Sequence, residues 1–244
     1  MKEKDKEKEK EDFVTKAKEK YKIFVDSGHG TNPFTGEYDR YPEGVYDYLI
    51  EQGLPTSDKT TYNYHSGVKG ETEINWRVST KLVDLLEQDE NFLVKRDRET
   101  KTEDGLSNKD RSVKANEWGA DLRVSIHADR TGSGGYFVAL PHEDFVLPEE
   151  FGGYYTESIR DETEIFAEIL LESLDNSELN YGIWNDGIYR PPKGYTAYNF
   201  TKHPVVILEM INTKNWDDTL KKEDVQDEIV KSTYEAIKVY FLDK

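Results

Sequence analysis

Short apolar runs that stop at polar turns, each followed by a stretch of helical spacing, constrain the fold of this chain more than any other feature. Ile23, Phe24 and Val25 lead into Asp26-Ser27-Gly28-His29-Gly30, whose two glycines favour a turn, so a buried strand feeds a loop. Ile74, Val78, Leu82, Leu85 and Leu86 recur at helical spacing, which opens a helix just after Glu71. Phe92 to Val94 reads as a second strand, and a helix follows from about Asn108 with Val113, Ala115 and Trp118 facing inward. Asp121 to His127 alternates as a third strand; Tyr136 to Leu140, after a glycine-rich turn, reads as a fourth and as its antiparallel neighbour. A helix over Ile159 to Leu174 places Ile165, Phe166, Ile169 and Leu170 inside, Val205 to Leu208 is a continuous apolar strand, and a last helix runs from about Lys222 to Phe241. Continuously apolar strands alternating with helices call for a mostly parallel sheet between helical layers, the α/β class.

Composition narrows the chemistry. The chain has no cysteine, which removes disulfides, thiolate metal sites and thiol nucleophiles together, so any metal must be held by His, Asp or Glu. A net charge of −17 repels a phosphate backbone and argues against nucleic acid. No apolar run approaches the roughly 18 residues of a membrane span. Residues 1–20 hold eight Lys and seven acids and read as a charged tail or linker. Residues 31–70 and 141–158 fit neither period; the first carries seven aromatics and reads as a structured loop over the site.

Ligands of open α/β sheets bind beyond the carboxyl ends of the strands. Three strand ends carry chemistry there: Asp26 to Gly30, Ser125 to Asp129, and Leu208-Glu209-Met210. With Glu71 at the start of the first helix, two imidazoles and two carboxylates can converge. Zinc takes neutral imidazole and carboxylate in a tetrahedron and lowers the pKa of a bound water towards about 7. A metal-assisted hydrolase also needs a carboxylate off the metal to carry the proton.

Four segments, IFVDSGHG (23–30), GETEIN (70–75), RSVKANEWGADLRVSIHAD (111–129) and PVVILEM (204–210), resemble the zinc-dependent N-acetylmuramoyl-L-alanine amidases of type 3, in the family's order. The resemblance implies a three-layer α/β/α sandwich with a central, mostly parallel mixed sheet, and makes residues 21–244 the catalytic domain. It implies Zn2+ held by His29, Glu71 and His127, with Glu209 as the catalytic carboxylate. The implied substrate is peptidoglycan, cut between the lactyl group of muramic acid and L-alanine. An extracellular or cell-wall location follows from that substrate, with cytoplasmic storage expected for a phage lysin. Thr31 after Gly30, Asp129 after Ala128 and Ile211-Asn212 after Met210 depart from the family pattern without removing a ligand; the long stretch 31–70 bears on specificity.

Bland alternatives stand beside each residue. Glu73 competes with Glu71, since both lie where an acid favours the helix dipole. Glu209 has the reading of an ion-pair partner, Asp26 that of a partner to His29 or a turn cap, and Arg96 and Arg111 those of surface or cap pairing. His65 and His203 are weaker candidates for contact with substrate, and His142 weaker still. A non-catalytic wall-binding module on the same fold is the alternative from another class. A zinc carboxypeptidase expects a glutamate three residues after the first histidine, where Asn32 stands. No oligomeric state is implied.

Overall fold

The computed structural model describes residues 20–30, 39–40, 45–51, 60–61, 70–101, 106–129, 134–142, 145–146, 155–179, 182–190, 196–212 and 216–242. In chain order the elements are β1 (Tyr21–Ser27), β2 (Asp39–Arg40), α1 (Val45–Glu51), β3 (Thr60–Thr61), α2 (Glu71–Glu87), β4 (Phe92–Arg96), α3 (Asn108–Trp118) and β5 (Leu122–Asp129). There follow β6 (Tyr136–Ala139), α4 (Glu157–Asp175), β7 (Ile183–Tyr189), α5 (Thr196–Asn199), β8 (Val205–Asn212), α6 (Trp216–Leu220) and α7 (Glu223–Leu242).

Six strands form one sheet in the order β4-β1-β5-β8-β6-β7. The four from β4 to β8 run parallel, whereas β6 lies antiparallel to β8 and β7 runs parallel to β6. The sheet is therefore mixed, with helices on both faces, and the expected α/β/α sandwich is the observed fold. Strand alternation sorts the side chains. Ile23 and Val25 enter the main core with Leu122, Val124, Ile126, Val206 and Leu208, under α2, α4 and α7. Phe24 points to the other face, where its ring meets Trp118 of α3 at 6.5 Å.

The helices begin and end where their chemistry asks. Ser107 caps α3 by accepting from the backbone N–H of Asp110 at 3.0 Å, and Gly119 closes it in a left-handed conformation at φ 71. Thr156 caps α4 in the same manner through Ile159.

Four expectations differ from the structure. The fourth strand, β6, pairs with β8 and not with the third strand β5, because β8 takes the place beside β5. Val113 and Ile165 are exposed, each lying at the margin of its helix's apolar stripe. Within 31–70, Val45–Glu51 is helical and Asp39–Arg40 pairs antiparallel with Thr60–Thr61, so that stretch holds regular structure; its other residues, except Gly70, lie outside the described ones. The charged tail, apart from Lys20, also lies outside them. Strand β7 carries no period-2 signal, because Asn185, Asp186 and Gly187 are left-handed and the ladder to β6 skips between Ile183 and Ile188.

Candidate functional site

The site lies at the carboxyl ends of β1, β5 and β8. His29 follows β1 in a left-handed conformation at φ 64, unusual for a residue with a side chain, which turns its ring back towards the start of α2. Glu71 is the first residue of α2 and is buried. His127 is on β5. One oxygen of Glu71, Oε1, is 3.0 Å from Nε2 of His29 and 3.5 Å from Nδ1 of His127, and the two rings stand edge to face with centroids 4.9 Å apart. The same oxygen accepts from the backbone N–H of Ala128 at 3.2 Å and from Nδ2 of Asn75 at 3.5 Å; Asn75 also donates to the carbonyl of Gly28.

Burial pushes the Glu71 carboxyl up, but its hydrogen bonds to His127 and His29 outweigh this and hold it well below the usual carboxylate range. Burial lowers the pKa of His127, which favours the neutral imidazole. One donor atom from each of His29, Glu71 and His127 lies within 4.8 Å of the others. A tetrahedral zinc with bonds of about 2.0–2.1 Å separates its donors by roughly 3.4 Å, so this spacing and this N, N, O donor set fit the metal. Gly28 makes room for the His127 ring: a Cβ there would lie 2.5 Å from its Cε1.

Glu209 is the backbone partner of His127 in the parallel ladder, one strand over, and is half-buried. Paired residues point to the same face, so Glu209 and His127 stand side by side.

Glu73 takes no part. It is half-buried on the outer side of α2, paired with Arg77 at 2.9 Å and Lys101 at 2.7 Å. His203 is buried at the start of β8, about 20 Å of strand away from Glu209, so contact with substrate is overturned for it. His142 is half-buried after β6, and His65 lies outside the described residues. Arg96 stacks on Trp76 at 3.8 Å and donates to Thr80.

Asp26 neither caps a turn nor pairs with His29. It is wholly buried, accepting from Arg111, from Nε of Arg123 at 3.0 Å and from the hydroxyl of Ser125 at 3.0 Å. Burial alone would raise its pKa; Arg111 and Arg123 outweigh that and hold it well below the usual range. Arg111 is 2% exposed, not a surface residue, and donates to the backbone carbonyls of His29 at 2.8 Å and Ser27 at 3.2 Å. Arg98 donates to the same His29 carbonyl. Buried Asp97 accepts from the N–H of Ser27 at 3.1 Å, and burial first of all raises its pKa. These arginines fix the backbone of His29, which the sheet ladder does not. Arg98, Arg123 and Asp97 are the neighbours of the candidate site that sequence reasoning missed; for Arg123 the available signal was a lone charge inside an apolar strand, Leu122-Arg123-Val124, whereas Asp97 and Arg98 sit in the charged run Lys95 to Glu99, which hides them.

A family model described as N-acetylmuramoyl-L-alanine amidase (Amidase_3) matches residues 23–239. Among solved structures, the N-acetylmuramyl-L-alanine amidase Ami1 of Mycobacterium smegmatis superposes with a TM-score of 0.71 at 18% identity, over 92% of this chain and 98% of that one. Ami1 of Mycobacterium abscessus, in its apo form, gives 0.68 at 21% identity over 90% and 98%. The N-acetylmuramoyl-L-alanine amidase of Clostridium difficile 630 gives 0.63 at 19% over 92% and 98%. At these identities the likeness is one of fold. No curated protein matches the sequence. The family model covers most of the chain in one stretch, and the chain belongs to the N-acetylmuramoyl-L-alanine amidases.

Proposed function

We propose that residues 21–244 form a zinc-dependent hydrolase that cuts the amide between the lactyl group of muramic acid and L-alanine in peptidoglycan, with the cell wall as its place of action. The observation that carries this reading is the pairing of Glu209 with His127, which sets a second carboxylate beside a largely buried His-Glu-His cluster. His29, Glu71 and His127 would hold the metal, and zinc in such a site supplies Lewis acidity, polarising a carbonyl and acidifying a water. Glu209 takes the proton of the attacking water and returns it to the departing alanine amine. Asn75, the N–H of Ala128 and the arginines behind His29 keep the three donors in place through the reaction. No side chain of the protein becomes covalently linked to substrate in this scheme.

Glu209→Gln tests it. Metal content should stay near that of the wild type while turnover falls at least about a thousandfold, roughly the scale of a lost general base. Mass spectrometry of a muropeptide digest should show an intact stem peptide with a free alanine amine from wild-type protein alone. Release of a single terminal amino acid would identify a carboxypeptidase, absence of any product a binding module, and full activity of the variant would remove Glu209 from its role.

A further inference from the structure

Glu209 pairs with His127 on one side and with Phe137 of β6 on the other, so the row that begins at the candidate metal cluster continues across Glu209 onto an aromatic ring. Phe137 is buried beneath two others. Trp184 lies with its ring centroid 5.0 Å away and Tyr189 with its centroid at 5.8 Å, and these two meet at 5.7 Å. Both outer rings are half-buried, so the cluster has a rim at the surface.

An irregular strand builds this cluster. Tyr136 pairs with Ile183 and Val138 with Ile188, so two steps along β6 oppose five along β7. The three extra residues are Asn185, Asp186 and Gly187, all left-handed, at φ 46, 63 and 85. Trp184 and Tyr189 are five apart, and in a regular strand they would face opposite sides of the sheet. The insertion returns both to the face of Phe137 and Glu209. Gly135 lets the two strands close at this level, since a Cβ there would sit 2.6 Å from the backbone nitrogen of Trp184. Two left-handed non-glycine residues in succession are an uncommon cost, accepted here beside the aromatic cluster.

We propose that Trp184 and Tyr189 form the subsite for the pyranose rings of the substrate, resting on the amidase reading above. β7 is two strands from β8, about 10 Å, which is the reach of an amino sugar joined through its lactyl ether to a carbonyl beside Glu209. The C–H faces of a pyranose stack on the indole, and the tyrosine hydroxyl both donates to and accepts from sugar hydroxyls.

With zinc-loaded protein, Trp184→Ala should raise KM for a disaccharide-pentapeptide about tenfold, with a smaller change in kcat, as loss of one aromatic contact implies. On a lactoyl-pentapeptide without sugar rings the penalty should be several times smaller, and Trp184→Tyr should recover most of the loss. Equal penalties on the two substrates, or an unchanged KM, overturn the proposal. A second measurement covers a variant that fails to fold. The chain has four tryptophans; labelled with 5-fluorotryptophan, with Trp184→Phe identifying the resonance, it is titrated with peptide-free disaccharide. A saturable shift of the Trp184 signal supports the subsite, and no shift overturns it. The titration needs no turnover. Disaccharide bound at Trp184 with no alanine amine released would sink the amidase reading alone; turnover with no response at Trp184 would sink this one alone.

Discussion

Gly28 shows how narrow the tolerance is at the level of single atoms. The atom its methyl group would strike belongs to the His127 imidazole, the movable end of a side chain and not backbone. Gly28→Ala should therefore leave the fold intact and displace the ring: zinc affinity falls at least about tenfold, measured by competition with a chromophoric chelator, while the unfolding midpoint of the metal-free protein changes little. His203 gives a second prediction. Burial pushes its imidazole down to about 4, with Arg123 adding to the effect and a hydrogen bond to the carbonyl of Pro204 opposing it. In the unfolded chain it titrates near 6.5, so between those values the unfolded state binds a proton that the folded state does not. Stability is full above that window and falls as the pH drops through it, by about 3 kcal/mol in all. Urea melts at pH 7 and pH 4.5 should show a smaller acid loss for His203→Gln than for wild type; equal losses would contradict the assignment. That His29, Glu71 and His127 come together beside Glu209 was legible because metal-assisted chemistry restricts its groups to a few residue types at strand ends and helix starts. Arg98 and Arg123 were not, since an arginine in a sequence ordinarily reads as solvent-exposed, and only the fold reveals Asp26 beneath Arg123 and Asp97 beside Arg98.

At the scale of elements, regular periodicity predicted well and irregular geometry did not. Helix α2 and strand β8 follow their apolar patterns closely, because single faces or continuous runs meet one core. Ile183-Trp184-Asn185-Asp186-Gly187-Ile188-Tyr189 hid as a strand because its middle three residues leave the ladder. Helix α3 was found from its start at Asn108, yet its inward face is carried by Arg111, Ser112 and Ala115, not by Val113. Since α3 delivers Arg111 to the carbonyl of His29, its cap bears on the site. Ser107→Ala should cost about 1 kcal/mol of stability by chemical denaturation, the usual worth of an N-cap. No loss would mean that the Asp110 side chain replaces the cap.

Across the whole molecule, the buried charges balance and the exposed ones do not. The net charge is −17, and the buried Arg98, Arg111 and Arg123 are offset by the buried Asp26, Asp97 and Glu71, so the acidic excess lies outside this buried charged group. Such a surface gives no attraction to an anionic wall polymer. The three proposed metal donors, His29, Glu71 and His127, come from three separate segments of the chain, so a bound ion ties the end of β1, α2 and β5 together. Zinc at about a hundredfold excess over Kd should add about 2.7 kcal/mol by mass action, which for a chain of this size raises Tm by roughly 5–10 °C. Differential scanning calorimetry with zinc and with chelator should show that shift for wild type and Glu209→Gln and lose it for His127→Ala. A shift retained by His127→Ala would place the ion elsewhere.

The spacing between Glu209 and His127 is set by peptide hydrogen bonds, not by side-chain packing. A single inserted or deleted residue in either strand upstream of that pair would turn one of the two groups to the opposite face of the sheet. Side chains elsewhere on the two strands can change without moving this pair, but a shift of its reading frame separates it, so the length of each strand counts for as much at the candidate site as the side chains it carries.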